Sequence, residues 1–284
     1  MSPEPHLTAA IVAVVIGAGA LHACWNAIAK QVQDRLMAFA WIGITAALAG
    51  GLVLLITGLP ARPAVAFAVS SAVIHVAYDL ALMNSYRLGP FNQAYPIARG
   101  TAPLVVAVGA YFLAGEHLGT VALIGITTLA AGLMSLALSA GRLTRQGAPV
   151  VGAAILTGLT IASYTLVDGL GVRRSADPVA YAALLFALQG PPLAIVAAFR
   201  RPMAAWRDRA VTERGVAAGL LCVAAYGIVL WAQTKAPLAE VAAIRETSVV
   251  FAALIGLAAL GEEFGKRRIA AAVVIATGIV LIGL

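Results

Sequence analysis

The sequence has few charged residues, few cysteines and no recognisable catalytic motif. Only 11% of the residues are charged and 62% are hydrophobic, whereas a soluble domain carries roughly 25% charged residues. This composition excludes a soluble globular protein and indicates a polytopic membrane protein. The two cysteines, Cys24 and Cys222, both lie in apolar segments, so neither a disulfide framework nor a cysteine metal site is expected.

Sequence patterns of enzymes and of ATP-driven pumps are also missing. The chain contains no H-E-x-x-H, no G-x-S-x-G, no Walker-type glycine-rich loop and no metal-ligand spacing. We therefore predict that the protein is not an enzyme and uses no cofactor or metal. Any uphill transport would have to draw on an ion or solute gradient.

Long apolar runs fill most of the chain. A membrane-spanning helix needs about 20 apolar residues, and the first run is long enough to remain as a helix rather than to be cleaved as a signal peptide. The net charge is +7, but the basic residues crowd the short loops as lipid-facing anchors do, so no nucleic-acid partner is expected. The ten predicted spans are 7–29, 36–58, 64–86, 91–113, 120–139, 149–170, 178–199, 216–234, 238–260 and 268–284.

The two halves of the chain resemble each other. The segment 99–119 aligns without a gap with the segment 146 residues later, at 245–265. Their sequences are RGTAPLVVAVGAYFLAGEHLG and RETSVVFAALIGLAALGEEFG. We predict two five-span repeats, at 1–140 and 147–284, that together form one membrane domain. The matched pairs are Arg99 with Arg245, Thr101 with Thr247, Gly115 with Gly261, Glu116 with Glu262 and Gly119 with Gly265.

An odd number of spans in each half forces the second half to enter the membrane with opposite polarity. Inverted repeats of this kind recur in secondary transporters, with the substrate site near mid-bilayer at the repeat interface. The predicted fold is an all-α integral membrane protein with ten transmembrane helices in two inverted five-helix repeats.

Three segments resemble the EamA-type branch of the drug/metabolite transporter superfamily. They are LHACWNAIAK (21–30), GPFNQAYPIARGTAPLVVAV (89–108) and the Gly-Glu pairs that precede the fifth and tenth spans. The resemblance implies a ten-helix transporter of small metabolites with a central cavity, but no particular substrate. The second half departs from the first at two places, since Ala242 stands opposite Pro96 and Val249 opposite Pro103.

Arg99 and Arg245 are the first candidates for a substrate site, with Tyr95 beside Arg99. Each arginine lies about nine residues into its span, or about 13 Å, and charged side chains at that depth are costly unless they face a cavity or a partner. A guanidinium group suits a carboxylate or phosphate. The alternative is that an internal acid, such as Asp79 or Glu246, neutralises each arginine and locks the helices together. Pro96 and Pro103 predict an irregular helix around Arg99.

Other polar side chains inside the spans are candidates for proton coupling or charge pairing. His75 and Asp79 share one helical face, and an acid beside a histidine could take up and release a proton. Glu246 lies about 100° around the helix from Arg245, so we expect it to find a different partner. The alternative for Asp79 is a simple pair with an arginine.

Polar and aromatic residues also share one face of the first span. His22, Trp25 and Asn26 recur at helical spacing, and their counterparts in the sixth span are Tyr164 and Thr165, with Asp168 one turn on. An aromatic ring with an amide suits a ligand wall, although a tryptophan near a helix end can be an interfacial anchor. We predict substrate contacts for Trp25, Asn26 and Tyr164, and coupling or pairing roles for His22 and Asp168.

The remaining acids and the loops predict helix ends and orientation. Glu116 and Glu262 each follow a glycine where a helix opens and fit compensation of the helix dipole. Lysine and arginine crowd the loops after odd-numbered spans, which places both termini outside, whereas the family resemblance implies cytoplasmic termini. We expect a multi-pass protein of a cell membrane, specifically a bacterial inner membrane.

The leading functional hypothesis is a secondary transporter of a small anionic or zwitterionic metabolite, such as an amino acid or another organic acid, phosphorylated or not. Alternating access of two inverted halves would move it, with proton coupling or exchange. One alternative is a broad-specificity exporter of neutral or cationic compounds. A second is a membrane-embedded enzyme that acts on a phosphorylated or lipid-linked substrate.

Overall fold

The described part of the chain is built from helices. A computed structural model describes residues 6–88, 91–139, 148–260 and 265–284, and these residues contain no strand. In chain order the helices are α1 (Ala9–Lys30), α2 (Arg35–Thr57), α3 (Arg62–Leu88), α4 (Phe91–Ala114), α5 (Thr120–Ser139), α6 (Ala148–Val172), α7 (Pro178–Gln189), α8 (Pro191–Arg200), α9 (Met203–Trp206), α10 (Arg209–Gln233), α11 (Leu238–Arg245), α12 (Thr247–Leu260) and α13 (Lys266–Ile282).

Eight helical segments among the described residues are long and apolar enough to cross a membrane. They coincide with the first eight predicted spans, with α7 and α8 together forming the seventh. In the ninth span the chain divides into α11 and α12. The apolar part of α13, Ile269–Ile282, is shorter than a standard span. The all-helical membrane fold is therefore confirmed, and the count of ten spans stays a prediction.

Short polar side chains and glycines set the helix ends. The Thr8 hydroxyl accepts a hydrogen bond from the N–H of Ile11, and the Asp34 carboxylate accepts one from Met37, each at 3.3 Å. These caps satisfy backbone donors that lack a partner in the first turn. Gly58 and Gly115 end α2 and α4 with φ of 72° and 67°, a conformation that glycine adopts without strain.

The outer surface is apolar, as lipid contact requires. Large side chains on several helices are mostly exposed, among them Leu55 at 84%, Phe112 at 76% and Phe199 at 87%. A soluble protein rarely exposes apolar surface this extensively. The polar side chains considered below are instead buried between the helices.

Helix contacts between the two halves are reciprocal. α1 packs on α10, and α6 packs on α3; α1 also packs on α11 and α12, and α6 on α4. The second and seventh spans pack on each other, as do α5 and α13. When the first five spans are exchanged with the last five, each contact of α1 maps onto one of α6, and the last two contacts map onto themselves.

Glycines allow α5 and α13 to approach closely. A Cβ atom built at Gly278 would lie 2.7 Å from the carbonyl oxygen of Gly125, and one built at Gly125 would lie 2.8 Å from that of Gly278. Any side chain larger than hydrogen would overlap the facing backbone. The two helices therefore meet backbone to backbone, as small residues permit in membrane helix pairs.

Candidate functional site

Arg99 contacts Glu246 and Ser248 at the interface of the halves. Its side chain is 4% exposed, and its Nε lies 3.0 Å from Oε2 of Glu246. Its Nη2 donates a hydrogen bond of 2.8 Å to the hydroxyl of Ser248. The guanidinium carbon lies 5.4 Å from the centre of the Tyr95 ring. Arg99 on α4 is thus held by the ninth span of the other half.

Arg245 has a looser environment, although the sequence repeat pairs it with Arg99. Its Nε lies 3.8 Å from Oε1 of Glu246, too far for a hydrogen bond. Its guanidinium carbon lies 6.0 Å from the centre of the Tyr164 ring. Among the described residues, no hydrogen bond acceptor reaches the Arg245 Nε, which is buried. The Arg99 Nε is likewise buried without a hydrogen bond to the described residues. The two arginines therefore differ in their distance to Glu246, 3.0 against 3.8 Å, and in the hydrogen bond that Arg99 alone donates to Ser248.

Glu246 lies between the arginines at a break in the ninth span. α11 ends at Arg245, and the N–H of Glu246 bonds to the carbonyls of Ala243 and Ile244 before α12 begins. In a regular helix, positions 246 and 248 project about 200° apart. The break lets Glu246 and Ser248 both reach Arg99.

The fourth span is not interrupted at its prolines. α4 continues from Phe91 to Ala114 through Pro96 and Pro103, and the interruption lies instead in the ninth span, which has no proline at the equivalent places. The long-range ion pair, rather than a local breaker residue, accompanies the interruption. The expectation that Glu246 finds a partner other than Arg245 agrees with its 3.0 Å contact to Arg99.

Aromatic rings cover the Arg245 side of the site. The His75 ring stacks on Tyr164, with centroids 4.1 Å apart and an interplanar angle of 24°. The Tyr226 ring meets both of them edge-on, and Tyr78 meets Tyr164 in the same way. Tyr164 is 6% exposed. The described conformation therefore closes the arginines off from solvent beneath an aromatic layer.

Asp168 is buried among hydroxyl groups. It has no exposed surface and accepts hydrogen bonds from the Tyr181 hydroxyl at 2.9 Å and the Tyr226 hydroxyl at 2.5 Å. A buried carboxylate needs such donors. Asp168 therefore ties together the sixth, seventh and eighth spans.

The family follows from a comparison with known families. Residues 149–284 match the model of the EamA-like transporter family. The second half of the chain therefore belongs to this family. No curated protein matches the sequence. A solved crystal structure of another protein is 18% identical to it with a TM-score of 0.73, and the match covers 97% of this chain and 98% of that one. At that identity the likeness shows the fold alone.

Asp79 and His75 of the transporter have different surroundings, although they share one face of α3. The Nδ1 of His75 lies 2.9 Å from the Ser71 carbonyl oxygen and 3.2 Å from the Ser71 hydroxyl. Asp79 is half-buried, and within the described ranges no hydrogen bond or ion pair reaches its carboxylate. It lies near Cys222 of α10. The predicted pair of Asp79 with an arginine is not formed.

The polar residues of α1 contact one another. The indole N–H of Trp25 donates to Nδ1 of His22 at 3.2 Å, and the Asn26 amide donates to the His22 carbonyl at 2.8 Å. Trp25 is 9% exposed and packs with Ile42 and Ala218. These contacts do not bring His22, Trp25 or Asn26 into hydrogen bonds with either arginine, and their predicted roles stay predictions.

Glu116 of the transporter caps a helix of the other half. Both of its carboxylate oxygens accept hydrogen bonds from the N–H of Leu238, at 2.9 and 2.8 Å. The sequence predicted dipole compensation at the next helix in the chain, which is α5, whereas the carboxylate serves α11. Glu262 lies outside the described residues.

Sequence reasoning missed Tyr226, Tyr181 and Ser248. A signal existed for Tyr226, because the repeat places AYGIVLWAQTK (225–235) over AYDLALMNSYR (77–87) and so matches Tyr226 with Tyr78. Ser248 stands opposite an alanine and gave no signal. Among the described residues, no three His, Cys, Asp or Glu side chains cluster as a metal site requires.

A cavity of about 300 Å³ lies away from the arginines, between α4 and α5. Tyr111, Phe112 and His117 line it together with Glu116. Phe112 is largely exposed on the outer surface. The cavity therefore faces the lipid side rather than the interface of the halves.

Proposed function

We propose that this EamA-type protein is a secondary transporter that moves a small anionic or zwitterionic metabolite, such as an amino acid or another organic acid. One observation carries the proposal: the buried Arg245 Nε is 3.8 Å from Glu246 and makes no hydrogen bond with the described residues, whereas its repeat partner Arg99 pairs with Glu246 at 3.0 Å and bonds to Ser248. Buried donors without partners are costly. A substrate carboxylate or phosphate would supply the missing acceptor.

The architecture supports alternating access. Two inverted five-span repeats would be related by an axis in the membrane plane, with the substrate between them. The reciprocal helix contacts fit that relation, since every inter-half contact described above has its exchanged counterpart. A broken helix at mid-membrane also fits, because transporters place such breaks where they bind substrate.

The residues proposed to contact substrate differ in how near they lie to Arg245. Tyr164 lies under its guanidinium group, and His75 and Tyr226 extend the same aromatic surface. This wall suits an apolar or aromatic substrate body whose carboxylate meets Arg245. Tyr95 lies beside the locked Arg99.

The alternative of an exporter for neutral or cationic compounds also has an observation in its favour. Arg99 is neutralised internally by Glu246, as that hypothesis requires of both arginines. Arg245 does not fit it, because its Nε lies 3.8 Å from the same carboxylate, a longer contact than the 3.0 Å of Arg99. A membrane-embedded enzyme would instead turn over a phosphorylated or lipid-linked substrate in detergent, with no compartment to transport into.

A ligand screen tests the substrate class. We expect amino acids, organic acids or phosphorylated metabolites to raise the melting temperature of the purified protein, because a ligand that binds only the folded state stabilises it. At 100 times the Kd the gain is about 2.7 kcal/mol. The matched controls are the same compounds with the carboxylate converted to an amide. Shifts produced by cationic drugs alone would contradict the proposal.

Asp79 is the residue that we assign to proton coupling. Glu246 is held by Arg99, Asp168 by two tyrosines and His75 by Ser71. Asp79 alone among these four groups has neither a hydrogen bond nor an ion pair within the described part of the chain. A carboxyl group in that position can bind and release a proton without breaking an internal contact.

Replacing Asp79 with Asn should separate coupling from binding. We expect the variant to lose proton-driven accumulation in proteoliposomes by about tenfold or more, while exchange of labelled for unlabelled substrate continues, because protonation no longer changes the charge. Asp79→Glu, which keeps the carboxyl group, is the control and should retain accumulation. Undiminished accumulation by the Asn variant would show that Asp79 does not couple.

A further inference from the structure

An ion pair joins the two halves at the membrane face that bears both chain termini, which we call the terminal face. Glu116 lies in the connection between α4 and α5, and Arg173 directly follows α6. The Arg173 Nη2 lies 2.8 Å from Oε1 of Glu116, and the side chains are 21% and 9% exposed. Because the pair is largely shielded from water, it should contribute more than an exposed surface pair does.

Both side chains also bind the backbone where the ninth span begins. The Glu116 carboxylate accepts both hydrogen bonds from Leu238, the first residue of α11. Arg173 donates from Nε to the Gln233 carbonyl at 2.8 Å and from Nη2 to the Ala236 carbonyl at 2.9 Å. The end of α10 and the start of α11 thus have their free backbone groups satisfied here.

The helix that this pair holds carries Arg245 at its other end. All residues of α11 are buried except Glu240. Gln233 and Leu238, at the same face, have no exposed surface. The terminal face is therefore closed over Arg245 in the described conformation.

We propose that Glu116 and Arg173 form the gate of the terminal face. Paired, they hold α11 against the first half; parted, they release α11 and open a path to Arg245. The inference rests on the alternating-access cycle proposed above. Glu240, in the first turn of α11, lies within electrostatic range of Glu116. Its like charge would favour separation once Arg173 no longer neutralises Glu116.

A second ion pair between the halves, at the opposite face, provides a matched control. Nε of Arg201 lies 2.5 Å from Oδ2 of Asp34, and Nη2 lies 3.1 Å from Oδ1. The hydrogen bond from Arg201 lowers the pKa of the Asp34 carboxyl group. This pair joins the start of α2 to the end of α8 and makes no contact with α11, so its loss should leave the gate unchanged.

Cysteine labelling tests the gate without any substrate. The parent carries Ala239→Cys with Cys24→Ala and Cys222→Ala, and Ala239 has no exposed surface when the face is closed. We expect Glu116→Gln and Arg173→Met each to raise the rate of labelling by a water-soluble maleimide about tenfold or more. The double variant should be labelled at nearly the same rate as each single variant, because the two residues act as one unit. Asp34→Asn should label like the parent.

Equal labelling of the parent and both gate variants overturns the gate. An equal rise of the labelling rate in Asp34→Asn also overturns it, since that would indicate a general loosening of the helix packing. Melting temperatures identify any variant that does not fold, and Arg173→Lys, which keeps the charge and loses the planar fork, then takes its place with a smaller expected rise. Because labelling needs no substrate, a negative ligand screen leaves this result standing, and an unchanged labelling rate leaves the ligand result standing.

Discussion

Replacing Arg245 with Gln is expected to weaken binding of the anionic substrate strongly. The Arg245 Nε is a buried donor without a hydrogen bond among the described residues and lies 3.8 Å from Glu246, and loss of one partner in a buried charge pair costs about 2–5 kcal/mol. The Kd of the ligand with the largest melting shift in the screen should therefore rise by a factor of about 30 or more. Isothermal titration with the purified variant measures it.

Arg245→Lys is the matched variant, because it keeps the charge but loses the fork of donors. We expect an intermediate affinity, since a carboxylate would lose one of two parallel hydrogen bonds. Ligand affinity that survives in Arg245→Gln at the level of the unaltered protein would exclude Arg245 as the anion site and favour an exporter of neutral or cationic compounds.

Replacing Glu246 with Gln should cause the largest loss of stability. The carboxylate is fully buried and compensates Arg99 at 3.0 Å, and removal of one member of a buried ion pair costs about 3–5 kcal/mol because the other charge is left unpaired. The unfolding free energy in detergent, measured against a denaturant, should fall by that amount. Combination with Arg99→Met should recover much of the loss.

The exposed pair of Arg209 and Glu213 is the control for this experiment. Its side chains are 90% and 61% exposed, so Glu213→Gln should have little effect. If Glu246→Gln is as stable as the unaltered protein, or if Arg99→Met fails to rescue it, the ion pair does not lock the two halves together.

The sequence predicted the helical membrane fold and the location of the polar site. Hydropathy was sufficient for the first eight spans, because a helix in lipid must be apolar along its whole length. The depth and repetition of Arg99 and Arg245 were also visible. Their residue type and spacing identified the region in which the structure places a buried arginine pair.

The division of roles between the two arginines could not be predicted. It depends on Glu246 and Ser248, which reach Arg99 only because the ninth span is interrupted, and no proline or glycine marks that interruption. The cap that Glu116 supplies to α11 was hidden for the same reason, since its partner is 122 residues away in the chain. Local patterns predict helices, but only tertiary packing decides which charges meet.

The glycine contact between α5 and α13 bears on how the halves would move. Gly125 and Gly278 bring two backbones together and receive the side chains of Ile282 and Leu129 from the facing helix, so separation of the two helices would forfeit close packing. Since α5 and α13 occupy equivalent places in the two repeats, their contact would lie on the pseudo-two-fold axis. We expect it to serve as the fulcrum of a rocking motion whose displacement grows toward the gate and the arginines.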